Sequence, residues 1–494
     1  MTRRYILLAA ALVLIGSLRI VSTYHVFSYT MDEPTHLGAG LQYLSTGTYT
    51  YEVAHTPLAR VFAAVGPWLA GERFHNGPIP YYESFRILGK GEHQERILTL
   101  GRLGILPFFW VASLVVFLWA NRCAGPEAAL IATLLFTTLP PVLAHSGLIT
   151  TDMALTATVS AAAYVSLLWA ERPSLVRSSA LGIAIALALC AKLSALPYLG
   201  AAWILMLLWY RPRFRIRPRV IPTIVSGAAA CLTIWAVYSF HFDRLPAPEF
   251  FGAFSEVWKH NQDGHASFIL GQRHHFGVWY FFPVTLALKT PLGLLLLLCL
   301  SPRLIRRHSV GTAAAFSLAV LLFAMTTRIN IGVRHVLPVY VGWCVVCGAA
   351  AAETFVARRR AIGAVVAALI AWHVASGALQ HPDYIPYTNE IAGSHPENFV
   401  ADSDLDWGQD MKRFGQYCQS HGITEIAFRP YDITYLEMGG PPLPRLLPSE
   451  WSHPSPGWNA VSMSGWKVFN HPGWVDRRPP EAKIGRTTWL WFFP

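Results

Sequence analysis

The sequence predicts a polytopic α-helical membrane protein of about eleven transmembrane helices, followed by a small C-terminal α/β domain on the outer face. Three observations predict it. Apolar residues make up 53% of the 494-residue chain and charged residues only 14%, against roughly 25% charge in an average soluble protein. The apolar residues gather in runs about long enough to cross a ~30 Å hydrocarbon core as helices. Beyond about residue 381 the composition becomes that of a water-soluble fold. The expected units are therefore a membrane domain, 1–380, and a soluble α/β domain, 381–494.

The first apolar run extends from Tyr5 to Phe27 behind Arg3 and Arg4. It is too long for an ordinary signal-peptide core and lacks a clear small-residue cleavage site, so it reads as an uncleaved anchor. An outer loop, about 28–101, follows. Within it "HTPLARVFAAVGPWLAG" (55–71) is too short to span and reads as an interfacial helix. Spans are expected near 103–120, 127–144, 153–170, 179–193, 195–210 and 220–240. Lys192 interrupts the stretch 179–210, which either crosses twice or breaks and re-enters. A second outer loop, about 241–277, is rich in His and aromatic residues, and the last spans fall near 278–300, 310–327, 336–352 and 362–379. In the tail "NFVADS", "ITEIAF", "NAVSMS" and "TTWLWFF" read as strands. "GQDMKRFGQYCQSHG" reads as a helix ending at Gly422.

The formal charge of +11 would suit a nucleic-acid partner if it formed one patch. It is instead divided among short segments between apolar runs: Arg3-Arg4, Arg172 to Arg177, 211–219, 302–307 and 358–360. With eleven spans all of these segments face one side. Positive loops stay cytoplasmic, so the expectation is a multi-pass protein of the cell (inner) membrane. Its N-terminus would be cytoplasmic, its tail extracytoplasmic, and no nucleic acid is called for. The seven cysteines imply no disulfide framework or zinc site. Six lie in or beside predicted helices, and the Cys344–Cys347 pair reads as small packing residues.

Several ionisable residues fall at the outer ends of these helices. In "TMDEPTH" the adjacent Asp32 and Glu33 follow the first span directly. A water-facing helix start at Pro34 would explain an isolated Asp there. "TTDMALT" (150–156) puts Asp152 at the next outer turn, where Thr150 to Asp152 also suit a helix N-cap. At matching depth lie Lys192, Lys289, Arg334 and His335. A lone Lys near a helix end often only snorkels to the headgroups. Ionisable groups among transmembrane helices are nevertheless costly and usually functional. Carboxylates suit a general base, and Lys with Arg suits a phosphate. Sugar transfer from a lipid phosphate needs both.

At these residues the chain resembles the membrane glycosyltransferases that use polyprenyl-phosphate sugars: glycosyltransferase family 39 with the protein mannosyltransferases, and the lipid A aminoarabinose transferases. The matching pieces are "MDEPTH" (31–36), "HTPLAR" (55–60), "TTDMALT" (150–156), "AKLSALPYL" (191–199), "YFFPVTLALKTPLG" (280–293), "GVRHVLP" (332–338) and "DSDLDWGQDM" (402–411), in one order along nearly the whole chain. The resemblance implies the GT-C fold and a catalytic acid in the first outer loop, Asp32, with Glu33 beside it and Asp152 in support. It implies phosphate contacts from Lys192, Lys289, Arg334 and His335, and places His55 and Arg60 in a substrate-binding loop. Thr56 and Arg60 stand where the family has Pro and Lys. The acids Asp402, Asp404 and Asp406 cap a turn before the tail helix, or, for Asp406, touch the acceptor.

The implied partners are a polyprenyl-phosphate sugar, membrane lipid, and a protein, lipid or glycan acceptor. A carboxylate pair can hold a divalent cation, the one cofactor for which these residues leave room, although no ligand set in the sequence is complete. A transporter or flippase for lipid-linked sugars would use similar charges. It would more often show inverted repeats, and none is evident. A non-catalytic envelope assembly protein would not need the loop acids.

Overall fold

A computed structural model gives the fold of residues 3–75, 80–210, 220–302, 308–357, 360–430, 443–447, 449, 452–469 and 472–494. The basic segments 211–219 and 303–307, with Arg358 and Arg359, lie outside the described residues.

Helices form where the apolar runs fall. Six among the described residues are long and apolar enough to cross a membrane: Arg3–Val21, Gly91–Ala124, Asp152–Glu171, Val220–Val237, Pro338–Val356 and Arg360–Leu379. Two bent pairs raise that number to eight. Three shorter apolar helices, Leu175–Ala191, Ala195–Tyr210 and His308–Ala324, occupy the places of the other expected spans. Length and composition alone thus support six to eight crossings, against about eleven expected.

The helix Pro338–Val356 forms the centre. It is buried from Pro338 to Ala352 except at Trp343, against Pro126–Thr137, Leu106–Ala124 and His308–Ala324. Its small residues permit that approach: a Cβ on Gly348 would stand 2.6 Å from the Ala128 carbonyl, and one on Gly342 2.3 Å from that of Ala313. Cys344 and Cys347 are buried packing residues of the same helix. The peripheral helices Val220–Val237 and Arg3–Val21 instead expose Ile221, Ile224, Leu232, Leu7, Leu14 and Leu18. Such a belt is stable only against lipid.

Two helices are sharply broken. Pro126–Thr137 and Pro140–Ser146 meet at 65°, and Phe281–Lys289 and Leu292–Cys299 at 113°. Proline supplies the reason at both breaks, Pro140 in one and Pro291 in the other, because it cannot donate to the preceding turn. Lys192 lies at a further break, between Leu175–Ala191 and Ala195–Tyr210. Lys192 and Lys289 therefore both sit where the backbone leaves helical geometry.

Loop 28–101 folds into helices Glu33–Thr46, Leu58–Leu69, Pro80–Leu88 and the start of Gly91–Leu103. The second of these is amphipathic and exposes Phe62, Val65 and Leu69. The loop 241–277 forms two short hairpins around the helix Pro248–Asp263.

The tail builds a five-stranded mixed sheet in the order Arg445–Leu447, Glu425–Arg429, Gly457–Ser462, Thr488–Phe493, Ala482–Ile484. Glu425–Arg429 runs parallel to both neighbours, and the remaining pairs are antiparallel. The helix Met411–Ser420 packs on the sheet through Phe414 and Cys418, and Gly422 turns the chain out of it at φ 63°. One expected strand is absent. "NFVADS" contributes only a bridge from Val400 to Ile269 and then winds into a 3-10 turn, Asp402–Asp404.

Candidate active site

The site is assembled from five separated segments at the end of the helical bundle that carries the tail. Asp32 precedes the helix Glu33–Thr46, Asp152 begins the helix Asp152–Glu171, and Lys192 occupies the helix break. Arg334 lies in the short 3-10 helix Val333–Val336 before the central helix, and Trp407 comes from the tail. Arg334 Nη1 donates to Asp32 Oδ2 at 2.8 Å and stands 3.7 Å from Asp152 Oδ2. Lys192 Nζ donates to Asp152 Oδ1 at 2.7 Å. Two carboxylates and two cations thus alternate along one chain of contacts, and their formal charges cancel. The two acids differ in access: Asp152 is 1% exposed and Asp32 34%.

The Arg334 guanidinium lies over the Trp407 ring, 4.1 Å from its centroid. His145 approaches the same ring, and its Nδ1 has no hydrogen-bond partner. His335 presents an equally unpartnered Nε2. Burial, with the positive charges of Lys192 and Arg334, holds that imidazole well below its ordinary pKa. Asp402 also leaves Oδ2 without a partner and adopts φ +55°, a conformation non-glycine residues seldom take. Burial pushes its carboxyl up to about 7, with Arg334 opposing the rise and Asp32 adding to it. The sequence reading assigned no site role to His145, Trp407 or Asp402. Trp407 and Asp402 lie inside a quoted motif and His145 lies five residues before another, but which side of the turn faces the site depends on tertiary packing.

Glu33 differs from the expectation of a second catalytic acid. Its carboxylate is wholly buried and receives Arg102 Nε at 2.9 Å and Nη2 at 2.8 Å. It also accepts the Thr30 and Ile149 backbone N–H groups at 2.7 and 3.0 Å. Its oxygens are therefore occupied, and they tie the Asp32 loop to the turn that presents Asp152.

Lys289 is likewise engaged within the protein. Its ammonium is buried and donates to the carbonyls of Ile385 at 2.6 Å and Asp404 at 2.5 Å, fixing the tail to the bundle. Arg60 is spent within loop 1, on His36 Nδ1 and the Tyr49 hydroxyl, each at 2.8 Å, and on Glu52. Burial works against ionisation of Glu52, but Arg60 and His55 outweigh it and keep its carboxyl well below the usual range. His55 stands edge-on to His36 at 5.1 Å and bonds Glu52, so it borders the site through loop 1. Asp406 accepts the backbone N–H groups of Gly408 and Ser464 at 3.1 and 2.9 Å. These are the contacts of the turn-capping alternative. For a divalent cation the residues do not fit: among those described, no three His, Cys, Asp or Glu side chains form a ligand group.

Residues 101–241 match the family model of dolichyl-phosphate-mannose-protein mannosyltransferase. The whole chain is similar in fold to ArnT from Cupriavidus metallidurans bound to undecaprenyl phosphate, with a TM-score of 0.52 and 14% identity. That likeness covers 99% of this chain and 98% of the other. The apo structure of the same protein gives 0.50 and 14% over 97% of each chain. No curated protein matches by sequence. The GT-C fold implied by the ordered motifs is the fold this chain adopts.

Proposed function

We propose that the chain is a membrane glycosyltransferase that moves a sugar from a polyprenyl-phosphate donor to an acceptor on the extracytoplasmic face, with inversion at the sugar carbon. The carrying observation is the alternating array Asp32–Arg334–Asp152–Lys192. The matched family is named for a dolichyl-phosphate donor, and the full-length fold relative is described with undecaprenyl phosphate bound.

In the resting site one oxygen of Asp32 is taken up by Arg334. An arriving phosphate competes for Arg334 and Lys192. Moving the Arg334 bond from Asp32 to the phosphate frees the half-exposed carboxylate as the reaction needs it. The bond between the sugar carbon and the phosphate oxygen then breaks, and its electron pair passes to the phosphate beside the cations. The acceptor oxygen attacks from the opposite face and loses its proton to Asp32. The phosphate leaves without a general acid, so one base suffices. Asp152 holds Lys192 and limits the travel of Arg334. Glu33 and Arg102 act as a positioning pair, and His55 and Arg60 order the loop that lines the acceptor side.

The test is transfer of label from a polyprenyl-phosphate sugar in membranes carrying Asp32→Asn. Loss of at least ~100-fold is expected, the usual worth of a positioned base, with melting behaviour unchanged. Full activity in that variant would remove the assignment.

A further inference from the structure

The proposed chemistry gives no task to the tail stretch "DSDLDWGQD" (402–410), yet the stretch lies against the reactive pair. Trp407 is 1% exposed. Its ring covers the Arg334 guanidinium, while its carbonyl accepts the N–H of Met31 at 3.2 Å, one residue before Asp32. Gln409 braces this arrangement. Its Oε1 receives the Trp407 N–H at 2.7 Å, its Nε2 donates to the Leu405 carbonyl at 2.9 Å, and its own carbonyl accepts the Ser28 N–H at 2.9 Å. The turn just before is fastened to the Arg334 segment, with Asp404 Oδ1 receiving the Val333 N–H at 2.9 Å.

Arg334 needs such support. Its Nε is buried and makes no hydrogen bond, and its contacts with Asp32 and Asp152 both run through Nη1. A long side chain held by one nitrogen has several rotamers open to it. A flat aromatic face under the guanidinium removes most of them and attracts the cation more strongly in a desolvated site.

We infer that Trp407 is a positioning residue that clamps both members of the Asp32–Arg334 pair, the acid through its backbone carbonyl and the cation through its indole face. The tail therefore sets the geometry of the membrane-embedded site and is not merely an appended module. The catalytic meaning of this clamp rests on the function proposed above; the clamp itself does not.

The test uses the full chain in lipid nanodiscs, with Trp407→Phe, which keeps a π face, and Trp407→Leu, which keeps apolar bulk without one. Each is also combined with Arg334→Gln. Two quantities are measured: the dissociation constant for undecaprenyl phosphate, and the melting temperature. Trp407→Leu should weaken lipid-phosphate binding about tenfold, and Trp407→Phe by no more than about threefold. In the Arg334→Gln background the leucine and phenylalanine variants should differ little in either quantity, because the cation that tells them apart is gone. Equal losses in the Phe and Leu variants, or a difference between them that persists unchanged beside Arg334→Gln, would overturn the clamp. If the unaltered protein binds no undecaprenyl phosphate, the donor reading falls, and the melting-temperature cycle alone still decides whether Trp407 and Arg334 are coupled.

Discussion

Asp32 and Glu33 share chemistry and sequence position, and their neighbours give them different work. Asp32 is reached by solvent and by one nitrogen of Arg334, whereas Glu33 is sealed with Arg102 and two backbone N–H groups. Removing one partner of a buried pair strands the other charge, at a cost of about 3–5 kcal/mol. Glu33→Gln should therefore lower the melting temperature markedly. Glu33→Leu combined with Arg102→Met should recover much of the loss, since replacing a buried pair by packed apolar groups is often neutral. Thermal unfolding of purified protein in detergent measures both, and an unchanged melt in Glu33→Gln would show that the pair holds nothing. The sequence makes the acids visible because charge stands out at the end of an apolar run. It hides their division of labour, because Arg102 lies 69 residues further on and no local pattern pairs the two.

Among elements, those with a strong period were legible and those held only by long-range contacts were not. Apolar runs and the strands Glu425–Arg429, Gly457–Ser462 and Thr488–Phe493 follow from composition. The strands Arg445–Leu447 and Ala482–Ile484 are too short to carry an alternation. "NFVADS" has the residues of a strand but winds into the turn Asp402–Asp404, whose groups bond Ile331, Val333 and Lys289 instead of a sheet neighbour. That turn should make stability depend on pH. Burial raises the Asp402 carboxyl to about 7, above its value near 4 in an unfolded chain. The folded state then holds a proton that the unfolded state releases. Its contribution is complete below about pH 4 and is lost as pH rises through 7, on the order of 4 kcal/mol in all. The melting temperature should accordingly fall between pH 5 and pH 8. Asp402→Asn carries no charge and suits φ +55°, so it should flatten that fall and melt higher at pH 8. Asp404 and Asp406 are raised by burial in the same direction, which is why some slope should persist. Identical pH profiles for the two proteins would remove Asp402 as the source.

At the scale of the whole molecule, one helix fixes where the reaction would occur. Asp152–Glu171 begins at the site and ends beside Arg172 and Arg177. Its 20 residues at ~1.5 Å each span about 30 Å, the thickness of a hydrocarbon core. On that length the acids Asp32 and Asp152 and the basic segment 172–177 stand about one hydrocarbon thickness apart. Positive loops stay on the cytoplasmic side, so the proposed function expects the site, the tail and the acceptor on the other. The consequence can be measured with a membrane-impermeant maleimide on variants in which the seven native cysteines are replaced. Ser420→Cys, exposed on the tail helix, should label in intact cells. Val176→Cys, 79% exposed in the first turn of the helix Leu175–Ala191, should label only after the membrane is permeabilised. The reverse pattern would place the Asp32–Arg334 pair in the cytoplasm. It would remove the extracytoplasmic acceptor from the proposal while leaving the clamp by Trp407 intact, because that contact depends on how the tail docks and not on which side of the membrane it does so.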